Sequence, residues 1–176
     1  FQFARNLARG DGFSFNPGEP TSTTTGALWT LVFAAGYHIT HEFFFTSFAL
    51  NWLLCVLLCV VIYHLSLTMH ASRRVALLAA STVAVTIPLP WWALSGMEPP
   101  LYAFLAVFGI LLHVRLRESS RRDNPPPRTP PHKRLGNLAP TIVFALAGLA
   151  RPECLLLFPL AMVDRLLMAR WGDASR

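Results

Sequence analysis

Phe43-Phe44-Phe45-Thr46-Ser47-Phe48-Ala49-Leu50-Asn51-Trp52-Leu53-Leu54-Cys55-Val56-Leu57-Leu58-Cys59-Val60-Val61-Ile62-Tyr63-His64-Leu65-Ser66-Leu67-Thr68-Met69 contains no Asp, Glu, Lys or Arg. A hydrocarbon core of about 30 Å takes about 20 helical residues, and this run exceeds that length. It therefore reads as a membrane span. His70, Arg73 and Arg74 follow it, which places its far end in the cytoplasm under the positive-inside rule. The composition agrees. The chain of 176 residues is 53% hydrophobic and 14% charged, against about 25% charged in soluble domains; its mean hydropathy is +0.45.

Outward from that run, Val75–Leu94 predicts a second span. Pro88 and Pro90 break its end, and Trp91-Trp92 supply an aromatic belt. Ser95-Gly96-Met97-Glu98-Pro99-Pro100 is a polar hairpin on the opposite side. Leu101–Val114 returns, with the span starting near Pro99, since Pro is tolerated in a first helical turn. The stretch Arg115–Arg134 holds seven Lys/Arg and two Asp/Glu, and so supplies +5 of the net +6. Lying between apolar runs, it reads as a cytoplasmic loop. A groove for nucleic acid interleaves aromatics with its cations; this stretch has none, which argues against a nucleic-acid partner. Pro125-Pro126-Pro127 and Pro130-Pro131 favour a stiff spacer over packing, with an SH3-like ligand as the alternative.

Leu138–Ala150 and Cys154–Val163 are apolar, separated by Arg151-Pro152-Glu153. They read as two helical pieces that rise from the cytoplasm and return to it, or as one bent helix. On the N-terminal side, Gly26–Tyr37 is apolar but too short to span. It predicts an interfacial or re-entrant helix, with Trp29 and Tyr37 as headgroup anchors. Phe3–Arg9 predicts a short amphipathic helix, and Gly10-Asp11-Gly12 and Asn16-Pro17-Gly18 predict turns. The expected architecture is thus an all-α polytopic membrane protein in four parts. Residues 1–42 form an external loop with juxtamembrane helices. Residues 43–114 hold three transmembrane helices, 115–137 the cytoplasmic loop, and 138–176 a helical hairpin broken at Arg151–Glu153. The opening at Phe1, in mid-pattern and without an initiator Met or signal peptide, reads as a fragment of a longer protein.

Few residues invite chemistry. Arg151 and Glu153 sit at the edge of an apolar hairpin, where an ionisable group costs a few kcal/mol and is a functional candidate by default. The alternative is an interfacial Arg–Glu pair that only fixes the turn. Arg151 has the fork geometry that suits phosphate. Glu98, near Trp91 and Trp92, is either a hydrogen-bond acceptor for sugar hydroxyls or a solvated loop carboxylate. Arg5 and Arg9 share a helix face and suit anionic headgroups or a lipid phosphate. Asn16 and Glu19 belong to the same polar opening loop. His38, His41 and Glu42 read as polar residues of an interfacial turn, because no further metal ligand is in view. Cys55, Cys59 and Cys154 lie in apolar runs and read as small buried hydrophobes. No cofactor is evident; divalent-metal dependence is left open, with no ligand set visible.

Four motifs in order carry a resemblance. They are Ala4-Arg5-Asn6-Leu7-Ala8-x-Gly10-x-Gly12-Phe13-x-Phe15-Asn16-Pro17-Gly18-Glu19, Thr25-x-x-Leu28-Trp29, Ser95-Gly96-Met97-Glu98 and Arg151-Pro152-Glu153. Together they resemble the bacterial GT-C membrane glycosyltransferases. The nearest group is that of the terminal arabinofuranosyltransferases; the protein mannosyltransferases and the lipid A aminoarabinose transferase are more distant. Pro99 and Thr24 depart from the pattern, which bears on fine specificity. The resemblance implies a multi-pass enzyme of the bacterial cytoplasmic membrane. Such an enzyme moves a sugar from a polyprenyl-phosphate donor to a glycan, lipid or protein acceptor on the periplasmic face. It also implies a catalytic Asp upstream of Phe1, Arg151 on the donor phosphate, Glu98 and Glu153 shaping the sugar or acceptor site, and Asn16 and Glu19 ordering the external loop. Two other classes remain: a transporter or flippase subunit with Arg151 and Glu153 in its path, and a scaffold that binds a partner through its Pro-rich loop.

Overall fold

The computed structural model describes residues 2–16, 19, 26–86, 88–122 and 131–174. Among these, every regular element is helical: α1 Gln2–Arg9, α2 Ala27–Thr40, α3 Phe43–Thr68, α4 Arg73–Val85, α5 Pro88–Ser95, α6 Pro99–Arg122, α7 Pro131–Ala150, a 3₁₀ segment Pro152–Leu156, and α8 Leu157–Ala174. The Thr21–Thr25 run, Pro17-Gly18 and Pro125–Pro130 lie outside the described residues.

The central helix α3 has 26 residues, about 39 Å at 1.5 Å per residue. Its exposed face is apolar, with Phe44, Phe45, Phe48, Trp52 and Val56, while its buried face carries Thr46, Ser47 and Asn51 beside Leu54, Cys55, Leu58 and Val61. A water-soluble helix hides its apolar stripe and shows its polar one; this pattern suits apolar surroundings. Two helices, α3 and the Pro99–Ser119 part of α6, are long and apolar enough to cross a membrane. Counting α4 and α5 as one broken span makes three. The break has a local cause. Pro88 has no N–H to give and restricts the residue before it, and the pair bends by 51°.

α6 and α7 pack tightly because Gly109 has no side chain. A Cβ built there would come within 2.5 Å of the Phe144 ring. Gly148 plays the same part in the hairpin, facing Leu155. The core joins Ala4 of α1, Phe33 of α2, Leu54 of α3, Leu101 of α6, and Ala147 and Ala150 of α7.

The hairpin after α7 consists of two helices, which settles the choice between two pieces and one bent rod. Arg151 is extended (φ −151°, ψ 128°), and the 3₁₀ segment turns the chain. α8 then runs back along α7, since Pro140, Thr141 and Phe144 share a cavity of about 110 Å³ with Phe158, Ala161 and Met162. The apolar part of α7, Leu138–Ala150, is only about 20 Å long. Its tip nevertheless reaches the start of α6, where Arg151 meets Glu98.

Several helices outrun their apolar sequence. α6 continues to Arg122 and α7 begins at Pro131, so both reach into the stretch expected to be an irregular loop. A helix once formed propagates cheaply, one hydrogen bond per residue fixed. Trp29 is another correction. It is 9% exposed and belongs to the core, so it is no headgroup anchor.

Two packing predictions follow from this arrangement. Gly109→Val should lower stability by about 1–3 kcal/mol through overpacking against Phe144, measured by denaturation in detergent micelles. With Cys55, Cys59 and Cys154 replaced by Ala, single cysteines at Met97 and Ser119 should react with an impermeant maleimide from opposite sides of the membrane; labelling from one side would overturn the sidedness.

Candidate functional site

Three chain segments converge at one end of the bundle. Glu98 precedes α6, and its carbonyl accepts the N–H groups of Leu101 (3.0 Å) and Tyr102 (3.3 Å). Pro99 and Pro100 occupy the first turn, where a missing N–H costs nothing, and Gly96 makes the left-handed approach (φ +70°). The Glu98 backbone is thereby fixed, and only its side chain can turn. Arg151 arrives from the other side. Its N–H still bonds to the Ala147 carbonyl (2.8 Å), and its own carbonyl accepts from Cys154 (3.0 Å), so it is held at the hairpin tip. Gly26 lies between the two, where a Cβ would sit 3.5 Å from the Ala150 carbonyl oxygen and 3.6 Å from Glu98 Cγ.

Arg151 Nη2 donates to Glu98 Oε1 at 3.1 Å. The side chains are 33% and 17% exposed. The guanidinium carbon also stands 5.0 Å from the centroid of the Tyr102 ring, within cation–π range. Arg151 Nε is buried without a hydrogen-bond partner. A guanidinium fully matched to a carboxylate presents two parallel N–H groups; here the fork is half used.

Beside this pair opens a cavity of about 250 Å³, lined by Phe3 and Ala4 of α1, by Gly26, Trp29, Thr30 and Phe33, and by Ser95–Glu98. Trp29 and Phe33 stack with centroids 5.6 Å apart. The aromatic groups beside Glu98 are thus Phe3, Trp29 and Phe33, where the sequence pointed to Trp91 and Trp92. Trp91 is exposed.

The opening segment is built to present α1 to this cavity. α1 ends with Gly10 in the left-handed region (φ +88°). The Asp11 N–H bonds to the Asn6 carbonyl and the Gly10 N–H to the Leu7 carbonyl, the paired pattern of a Schellman stop. Asn6 is 1% exposed, and its Nδ2 donates to the carbonyls of Ser14 (3.0 Å) and Phe15 (2.9 Å). That folds the loop back on the helix, with Phe3 against the rings of Phe13 and Phe15. Arg5 leaves α1 next to Ala4, and its Nε is a second buried guanidinium nitrogen without a partner.

The candidate residues separate accordingly. Glu98 and Arg151 come together. Glu153 is exposed on the first turn of the 3₁₀ segment; the Arg151–Glu153 pair weighed as an alternative does not form, and Arg151 pairs with Glu98. A carboxylate two residues on in a 3₁₀ turn points away from its neighbour's guanidinium. Asn16 Nδ2 donates to Glu19 Oε2 (3.2 Å) at the exposed surface, away from the cavity lining. His38, His41 and Glu42 lie at the α2–α3 turn, with His41 capping α2 in the left-handed region (φ 56°).

A second polar cluster lies at the far end of α6. Asp164 of α8 accepts from His113 (3.0 Å) and pairs with Arg117 (3.2 Å). His70, after α3, pairs with Glu118 (3.1 Å). Sequence reasoning passed over His113 and Asp164. The signal was present, since each is an ionisable group inside an apolar run, and His113 and Arg117 are one helical turn apart. Fifteen residues of α6 separate His113 from Glu98, about 22 Å. The Arg73/Arg74 turn and the basic end of α6 thus gather at one end of the bundle, and the opening loop, Glu98 and Arg151 at the other.

Comparison of the chain with protein families, curated proteins and solved structures finds no match.

Asn6→Ala leaves two loop carbonyls without their donor, which costs about 1–3 kcal/mol locally. Hydrogen exchange should then speed up at residues 10–16 with α6 and α7 protection unchanged.

Proposed function

We propose that the chain is part of a multi-pass glycosyltransferase of the bacterial cytoplasmic membrane, GT-C-like, with its juxtamembrane helices α1 and α2 on the external side. It transfers a sugar from a polyprenyl-phosphate donor to an acceptor of the cell envelope. The observation that carries this reading is the Arg151–Glu98 pair at the edge of an aromatic-lined cavity of about 250 Å³. An oxyanion-binding cation, a carboxylate and stacking rings are the groups that a phosphate-linked sugar requires. Ala4, Trp29, Ser95–Glu98 and Arg151, which belong to the sequence motifs quoted above, come together here. An apolar groove of about 330 Å³ between α3 and α4–α5, lined by Trp52, Val56, Val60, Leu89 and Ala93 among others, suits a hydrocarbon tail.

In this reading Arg151 binds the donor phosphate. Phe3 and Trp29 form the aromatic wall facing the sugar, and Asn16 and Glu19 order the external loop. The acceptor hydroxyl oxygen attacks the anomeric carbon as the bond to the phosphate oxygen breaks. The bonding pair leaves with the phosphate, and the hydroxyl proton passes to a carboxylate acting as general base. Arg151 offsets the charge that grows on the leaving group.

A second reading has a specific observation of its own. His113, Arg117 and Asp164 form an ionisable cluster on the hairpin side of α6, as in the proton relays of transporters. One experiment separates the two. In the full-length protein, Arg151→Lys keeps the charge and loses the fork. Sugar transfer from a labelled polyprenyl-phosphate sugar should fall by about 10- to 100-fold with membrane insertion intact. Wild-type transfer would remove Arg151 from the phosphate role. Absence of transfer in the wild type, with Asp164-dependent uptake into proteoliposomes, would favour the transporter.

A further inference from the structure

We infer that Glu98 is a placeholder anion: an incoming phosphate displaces it from Arg151, and the freed carboxylate turns into the cavity to accept sugar hydroxyls. The inference rests on the phosphate reading of Arg151 given above. It begins from an electrostatic requirement. A guanidinium at the tip of a short apolar hairpin needs a counter-ion in every state. Glu98 is the carboxylate that meets it.

The fit, however, is partial. One contact, Nη2 to Oε1, is made, and Nε–H faces a buried position without an acceptor. Glu98 is anchored through its backbone at the start of α6, and its Cγ lies beside Gly26. From there it reaches one arm of the fork. A phosphate with two free oxygens can take both arms at once. It therefore offers Arg151 a bond that Glu98 leaves unmade.

Displacement also has somewhere to send the carboxylate. Glu98 lines the cavity with Trp29 and Ser95, so rotation of its side chain carries Oε1 toward the rings. Arrival of the phosphate and arming of the sugar site become one event.

The test uses the full-length protein in phosphatidylcholine nanodiscs, titrated with undecaprenyl phosphate and, separately, with inorganic phosphate. Glu98→Gln removes the competing charge and should bind undecaprenyl phosphate about 10-fold more tightly than wild type, while Arg151→Gln loses binding. The same order with inorganic phosphate assigns the exchange to the headgroup alone; the order with undecaprenyl phosphate only assigns it to the lipid ligand. Both support the exchange. Equal or weaker binding by Glu98→Gln, with Arg151→Gln still defective, overturns the exchange and leaves the phosphate reading standing. No binding by the wild type overturns both. Should Glu98→Gln fail to fold, the wild type decides. Its Arg151 Nε–H resonance, identified by its loss in Arg151→Gln, should move downfield on saturation with undecaprenyl phosphate; an unmoved resonance overturns the exchange.

Discussion

A cation cannot stand alone in an apolar hairpin, and the end of the bundle that carries the candidate site is arranged around that constraint. Arg151 sits where α7 stops, about 20 Å of apolar helix from the basic end. Its charge demands a partner, and the partner comes from Glu98, 53 residues away in the chain. To deliver that carboxylate the chain uses a left-handed Gly96, two prolines that begin α6, and a glycine at position 26 that lets α2 approach both groups. Each device is cheap by itself. Together they bring three distant segments to one ion pair, and the cavity is the space they leave.

The hairpin that carries Arg151 is held at two levels. At the tip Arg151 bonds to the start of α6. Lower down, Asp164 of α8 bonds to His113 and Arg117 near the end of the same helix. Between them Gly109 and Phe144 close the α6–α7 contact. A helical hairpin tied at one point can pivot; tied near both ends to a single helix, its position along that helix is set. Polar groups thus fix position, while apolar contact supplies bulk adhesion. In apolar surroundings that division is expected, because lipid competes for apolar faces as well as a neighbouring helix does, and hydrogen bonds and close backbone approach then decide which faces meet.

The helices and their breaks were legible because length and proline content are local properties. α3 was evident from Phe43–Met69, a proline break near the end of Val75–Leu94 from Pro88 and Pro90, and a break in the hairpin from Arg151-Pro152-Glu153. The ends of α6 and α7 were less legible. Helical hydrogen bonding continues past the apolar run into charged sequence, and hydropathy is blind to that. The sidedness of Arg73/Arg74 against Glu98 and Arg151 followed from charge placement and matches the two ends at which the structure gathers these groups. The partner of Arg151 was not legible. Sequence proximity named Glu153, yet a residue two positions along a 3₁₀ turn diverges, and the true partner depends on how two helices pack. The aromatic wall failed for the same reason. Trp91 and Trp92 are near Glu98 in sequence, but Trp29 reaches it through the fold.

Asn6 shows how much of the site depends on one side chain with no chemistry of its own. Its amide satisfies two loop carbonyls, and that turns the segment after Gly10 back over α1. Phe3 can then lie against Phe13 and Phe15 while still lining the cavity with Ala4. Without that fold-back α1 would keep only the apolar grip of Ala4, Leu7 and Ala8 on the core, a narrow stripe on a helix of 8 residues. Isolated helices of that length are marginal. The placement of Phe3 and Ala4 at the cavity is therefore inherited from a hydrogen-bonded loop.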